Sequence, residues 1–125
     1  MSLIKSISGI RGTIGGNYND NLTALDIVEC TAAFAKFILQ QDKGKKVVVG
    51  RDGRISGPMV AGLVNVTLVS MGIDVIDLGL STTPTDEMAV TDLNASAGII
   101  ITASHNPGQW NALKFLNAKG EFISA

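Results

Sequence analysis

Two short runs in this chain contain nothing polar, and they restrict its possible folds more than any other pattern. Val47, Val48 and Val49 form one run, and Gly98, Ile99, Ile100 and Ile101 form the other. A strand with one wet face alternates apolar and polar residues. A run that is apolar throughout has to be covered on both faces, as in a parallel sheet between helices. Residues 73–78 read as a further strand. Helix-like segments separate these runs, so the pattern predicts an α/β fold. The expected architecture is a three-layer sandwich with a mainly parallel sheet covered by helices, right-handed crossovers and a C-terminal hairpin.

The remaining elements follow from local signals. Residues 3–7 alternate apolar and polar and read as a short strand. Gly9, Gly12, Gly15 and Gly16 mark a loop after it. Thr23 is a suitable N-cap, with Asp26 three residues on, where a carboxylate favours a helix start. Leu25, Val28, Ala32, Ala35 and Leu39 give that helix a buried stripe, widened by Ile27, Phe34 and Ile38. The polar residues 40–46 end it. A second helix is expected from Ser56, with Pro58 in its first turn, to Met71, where Gly72 stops it. Thr83 and Pro84 open a shorter helix over residues 86–91. Residues 113–116 and 121–123, joined through Lys119 and Gly120, read as the hairpin.

A length of 125 residues suits a single domain over residues 1–125. The net charge of −1 excludes a broad electrostatic footprint for nucleic acid or anionic membrane. Cys30 is the only cysteine, which favours a reducing, cytoplasmic setting. No apolar run approaches the roughly 20 residues of a membrane span. The first ten residues lack the apolar stretch of a signal peptide.

In open α/β sheets, ligands collect at the carboxyl ends of strands. Three segments take such positions: residues 8–16, 50–56 and 102–110. They hold Arg11, Arg51, Arg54 and His105, and Lys114 follows. Several cations near strand ends in an almost neutral chain point to an anion. Each also has a plainer reading: Arg51 and Arg54 flank Asp52 and would pair with it, and Lys114 alone would be a surface lysine. The glycines at 9–16 do not form a phosphate-binding P-loop. One histidine and one cysteine cannot build a zinc site. Ser104 lies just past a buried strand, where a short turn would expose its hydroxyl. Its neighbour His105 is no base for it by adjacency alone, and spacing by itself favours an ordinary turn shaped by Asn106 and Pro107 over a Ser-His-Asn triad.

Thr102-Ala103-Ser104-His105-Asn106-Pro107, followed by Trp110-Asn111-Ala112-Leu113-Lys114-Phe115, closely resembles the serine loop of the α-D-phosphohexomutases. That family includes phosphoglucomutases, phosphomannomutases and phosphoglucosamine mutases. Ser8-Gly9-Ile10-Arg11-Gly12 resembles its N-terminal arginine motif. Val49-Gly50-Arg51-Asp52-Gly53-Arg54 with Ser56-Gly57 resembles a second loop, and Thr83-Pro84-Thr85 a further turn. The likeness runs from about residue 3 to residue 124, in order.

The resemblance implies the N-terminal domain of a phosphosugar mutase, with the later domains elsewhere. Ser104 would carry a phosphoryl group and exchange it with a hexose phosphate through a bisphosphate intermediate, moving phosphate between positions 1 and 6. Arg11 and Lys114 would offset the charge. Lys114 and His105 would assist proton transfer. Asn106 and Asn111 would shape the loop, and Arg51 and Arg54 would serve the phosphate environment, mainly structurally. The family's magnesium ion would touch Ser104 through its phosphate, and a sugar bisphosphate would act as activator. The Asp-Gly-Asp motif that supplies the family's metal ligands is missing from this sequence, so the isolated chain would be inactive. The alternative is a stand-alone phosphoprotein or phosphate-binding module. Trp110 and Ala112 stand where the family commonly has tyrosine and glycine.

Overall fold

A computed structural model describes residues 2–6, 9–41, 44–103 and 106–123. In chain order the elements are β1 (Ile4–Ser6), β2 (Gly9–Thr13), α1 (Ala24–Gln40), β3 (Lys46–Arg51), α2 (Gly57–Ser70), β4 (Asp74–Leu80), α3 (Thr83–Asp92), β5 (Ala97–Ile101) and β6 (Trp110–Leu116). The six strands make one sheet in the order β1-β2-β6-β5-β3-β4. β3 runs parallel to both β4 and β5. β6 is antiparallel to β5 and β2, and β2 to β1. The sheet is therefore mixed. Strand–helix–strand units build its parallel half, and the N-terminal pair with β6 builds an antiparallel half.

Helices cover both faces. Val47, Val49, Ile99 and Ile101 pack with Ile27, Phe34 and Ile38 of α1 and with Val60, Val64 and Leu68 of α2. Val48 and Leu116 point the other way, onto Val90 of α3 and Ala95. Alternate residues of β3 thus enter opposite layers, which is why the run is apolar at every position. Each fully buried valine or isoleucine contributes about 1.5–3 kcal/mol. Phe34 of α1 stacks on Phe115 of β6 with ring centroids 4.1 Å apart, tying β6 to the helical layer.

The start of α1 forms as its sequence predicts. Thr23 is the N-cap, and Asp26 turns back to accept from its amide at 3.0 Å and its hydroxyl at 2.6 Å. Burial alone would raise the pKa of Asp26. The bonds from Thr23 and the Asn19 amide, with Lys5 nearby, hold it below the usual carboxylate value. The buried face of α1 differs from the expected stripe. Asp26, Ile27, Thr31, Phe34, Ala35 and Ile38 are buried, whereas Leu25, Val28 and Leu39 are exposed. Apolar residues surround most of this helix, so spacing alone admits two neighbouring stripes. Packing against the sheet and α2, with Asp26 drawn inward by its cap, selects one.

Two further expectations change. Residues 9–12, read as a loop, form β2. Its ladder is completed from both sides by β1 and β6, which no local propensity signals. Gly9 suits the strand because its φ is +146° and a Cβ there would strike the Leu113 carbonyl. The second arm of the C-terminal hairpin shrinks to an isolated bridge between Leu116 and Phe122. The main partners of β6 are long-range. Ile7 and Ser8, part of the expected first strand and loop, lie outside the described residues. Among the described residues no helix is long and apolar enough to cross a membrane.

Asp86, in the first turn of α3, is buried against Gly50 of β3. Neither of its carboxylate oxygens has a hydrogen-bond partner among the described residues. Burial pushes its pKa up from 3.8 to about 6, against a smaller downward pull from the nearby Ser81 hydroxyl. Between these values the folded chain holds a proton that the unfolded chain has lost. Asp86 therefore removes stability as pH rises from 3.8 to about 6, by up to about 3 kcal/mol. Asp86→Asn is expected to raise the thermal midpoint at neutral pH and to lose that advantage below about pH 4. Thermal denaturation of both chains across this range checks it, and an advantage independent of pH would contradict it.

Candidate active site

The parallel pairing of β3 with β5 brings two strand ends side by side. The Asp52 amide, just past β3, donates to the Ile101 carbonyl at the end of β5, 3.1 Å away. The Thr102 amide then donates to the Ala112 carbonyl of β6 at 3.1 Å. From there the chain leaves the sheet and returns at Trp110. Ser104 and His105 lie outside the described residues. On either side of them, the Asn106 amide donates to the Ala103 carbonyl at 3.0 Å, so the chain resumes close to where it left.

Arg54 grips the returning segment. Its Nη1 donates to the carbonyls of Asn106 and Pro107 at 2.9 Å each and of Trp110 at 3.3 Å. Its Nε donates to Asp52 Oδ2 at 3.2 Å, and its backbone amide to Asp52 Oδ1 at 3.2 Å. Thr102 Oγ1 donates to the same Oδ2 at 2.6 Å. Only 11% of the Arg54 side chain is exposed, so these bonds work in a partly desolvated setting. Asn111 is fully buried and donates to the Ser56 hydroxyl at 2.8 Å, linking β6 to the start of α2. Ser56 occupies the expected N-cap position of α2, yet makes no side-chain cap bond.

The neighbouring strands add charge. Arg11 of β2 lies opposite Ala112, and Gly9 opposite Lys114. Residues that face one another across a ladder share a side of the sheet, as do residues two apart. Arg11 and Lys114 therefore stand on one face, beside the strands that α3 covers. Burial lowers the pKa of Lys114 most, and Arg11 and Arg54 lower it further, while Asp52 opposes them. Arg11, Arg54 and Lys114 thus act on one another at the edge where the Ser104 segment leaves the sheet. Arg51 belongs elsewhere: among the described residues its Nη1 reaches only its neighbour's carbonyl at 3.4 Å, and its chain lies against Gly57.

Residues 3–125 match the sequence profile of the family described as phosphoglucomutase/phosphomannomutase, alpha/beta/alpha domain I. The chain belongs to this family. It is 38% identical over 120 residues to a phosphoglucosamine mutase of Alkaliphilus metalliredigens, covering 96% of this chain and 26% of that protein. It is 38% identical over 112 residues to a phosphoglucomutase/phosphomannomutase of Thermococcus kodakarensis, covering 87% and 25%. A crystal structure of a Thermus thermophilus protein superposes with a TM-score of 0.86 at 31% identity, over 99% of this chain and 28% of that one. The chain therefore spans about a quarter of the length of the relatives it matches.

For the magnesium ion that the family resemblance implies, the described residues offer no fitting donor set. Among the described residues no group of three or more His, Cys, Asp or Glu is placed to hold a metal. Asp52, the carboxylate beside the loop, directs both oxygens to Arg54 and one also to Thr102. Nothing in the sequence singles out Asp52 and Thr102 as site residues. The i, i+2 spacing of Asp52 and Arg54 signals only their mutual contact, and the bond to Thr102 spans 50 residues.

The Arg54 clamp has a direct test. Arg54→Lys keeps the charge but loses the planar fork that reaches Asp52 and the loop carbonyls together. It is expected to destabilise the domain by about 1–3 kcal/mol. Urea denaturation measures this, and an unchanged midpoint would show that the clamp holds nothing.

Proposed function

We propose that this domain supplies the phosphoserine of a phosphosugar mutase. Ser104, in its phosphorylated form, transfers its phosphoryl group to a free hydroxyl of a hexose or hexosamine monophosphate. The P–O bond to Ser104 breaks, a P–O bond to the sugar forms, and the hydroxyl proton passes to a nearby base. The resulting 1,6-bisphosphate turns round and returns its other phosphoryl group to Ser104. The observation that carries this reading is the grouping of Arg11, Arg54 and Lys114 beside the segment that holds Ser104.

Phosphoryl transfer asks a protein mainly for position and for charge stabilisation. A phosphoserine brings about −1.5 to −2 charges, which a cationic edge offsets. Lys114 suits a proton-handling role because burial and neighbouring cations bring its pKa down from the ordinary lysine value. His105 would orient or share a proton with the sugar hydroxyl. Magnesium ligands and sugar selectivity would come from other domains of a longer cytoplasmic protein. Relatives named phosphoglucosamine mutase and phosphoglucomutase/phosphomannomutase support hexosamine or hexose phosphates as the substrate class.

In the full-length protein, Ser104→Ala is expected to lower turnover of hexose 1-phosphate by at least about 10³-fold. Retention of the parental rate would remove Ser104 from this role. The 125-residue chain is expected to take up phosphate covalently from glucose 1,6-bisphosphate without mutase turnover. Intact-mass analysis reads the first outcome and a coupled assay with magnesium the second. Reversible binding without covalent label would favour a binding module instead.

A further inference from the structure

We propose that Asp52 is the positioning residue of the Ser104 loop, holding the chain on both sides of the serine from a single carboxylate. The inference rests on the phosphoserine reading above and adds a residue to it. Oδ2 accepts from Thr102 Oγ1, two residues before Ser104. The same oxygen accepts from Arg54 Nε, and Oδ1 accepts from the Arg54 amide. Arg54 in turn holds the carbonyls of Asn106 and Pro107, two and three residues after Ser104, and that of Trp110. One side chain therefore links the strand exit to the returning loop through an arginine whose fork it orients.

The arrangement does what an aspartate can do and its neighbours in shape cannot. An ionised carboxylate is acceptor-only, and three donors converge on it. Asparagine has one acceptor oxygen, so at least one of these donors meets an amide NH₂ in either orientation. Glutamate keeps the charge but moves it one methylene further out. Asp52 has a second effect at a distance: its charge favours protonated Lys114, against burial, Arg11 and Arg54. Removing the charge thus loosens the loop and pulls the Lys114 pKa further down. A residue that merely supported the fold would not move that ionisation.

The test is made in the full-length protein, with steady-state kinetics on glucose 1-phosphate in the presence of glucose 1,6-bisphosphate and magnesium. Asp52→Asn is expected to lower kcat by about 100-fold, the cost of misplacing a reacting group by around an ångström, with KM little changed. The acidic limb of its pH–rate profile, where Lys114 must lose its proton to act as base, should move to lower pH. Asp52→Glu should recover part of kcat and return the acidic limb towards its parental position. Should Asp52→Asn fail to fold, Thr102→Val removes one donor at nearly constant volume and should lower kcat by about 10-fold. Parental kcat with an unmoved pH profile would overturn the inference, as would a loss matched by the unfolded fraction in circular dichroism. Ser104→Ala, run alongside, separates the two readings. If it is inactive while Asp52→Asn is unimpaired, only the positioning role fails. If it turns over normally, the phosphoserine reading fails and takes this inference with it.

Discussion

The pairing of β3 with β5, buried on both faces, sets the geometry of everything else in the domain. Val47 to Val49 and Ile99 to Ile101 have almost no exposed surface, so neither strand can slip without moving apolar side chains between layers. Fixed register sets fixed exits. The chain leaves β3 at Arg51 and β5 at Ile101, residues that are paired with one another. The loop that carries Asp52 and Arg54 thereby lies against the segment that leads to Ser104. β6 then returns alongside β5, placing Lys114 opposite Ile100 and next to β2 with its Arg11.

Chemistry at this edge comes from a balance of charge held in partial burial. Three cations and one carboxylate act on one another there, and the carboxylate is committed to Arg54 and Thr102. The remaining charge is positive, in keeping with the proposed phosphoserine role. Asp86 stands at the same end of the sheet with a contrasting environment. It packs beneath Gly50 without a hydrogen-bond partner among the described residues, and burial favours its neutral form. Two aspartates near the same strand end thus differ because one meets donors and the other meets a glycine backbone.

Much of the architecture was legible because it depends on local pattern. The apolar runs marked β3 and β5, Thr23 and Asp26 marked the start of α1, and Ser56 and Pro58 marked that of α2. The glycine-rich β2 escaped because its strand character is imposed by β1 and β6 on either side. The buried stripe of α1 escaped because apolar residues circle most of the helix, and only packing selects among the possible faces. At the site, the cations were visible as residue types near strand ends. Their grouping was not, and Arg51, close to Arg54 in sequence, reaches only its neighbour's carbonyl among the described residues.

The α/β class, the places where strands end in loops, and the family to which the chain belongs were all written in the residues themselves. These follow from periodicity and from contiguous motifs, which are short-range properties. Three other features came from packing in three dimensions: Arg54 clamps the serine loop, Asp52 joins both sides of it, and Asp86 is left buried without a partner among the described residues. Those are long-range facts. The contact from Asp52 to Thr102 spans 50 residues and that from Arg54 to Asn106 spans 52. Such pairs meet because layer packing fixes the strand ends in space, and nothing in the intervening sequence encodes their meeting on its own.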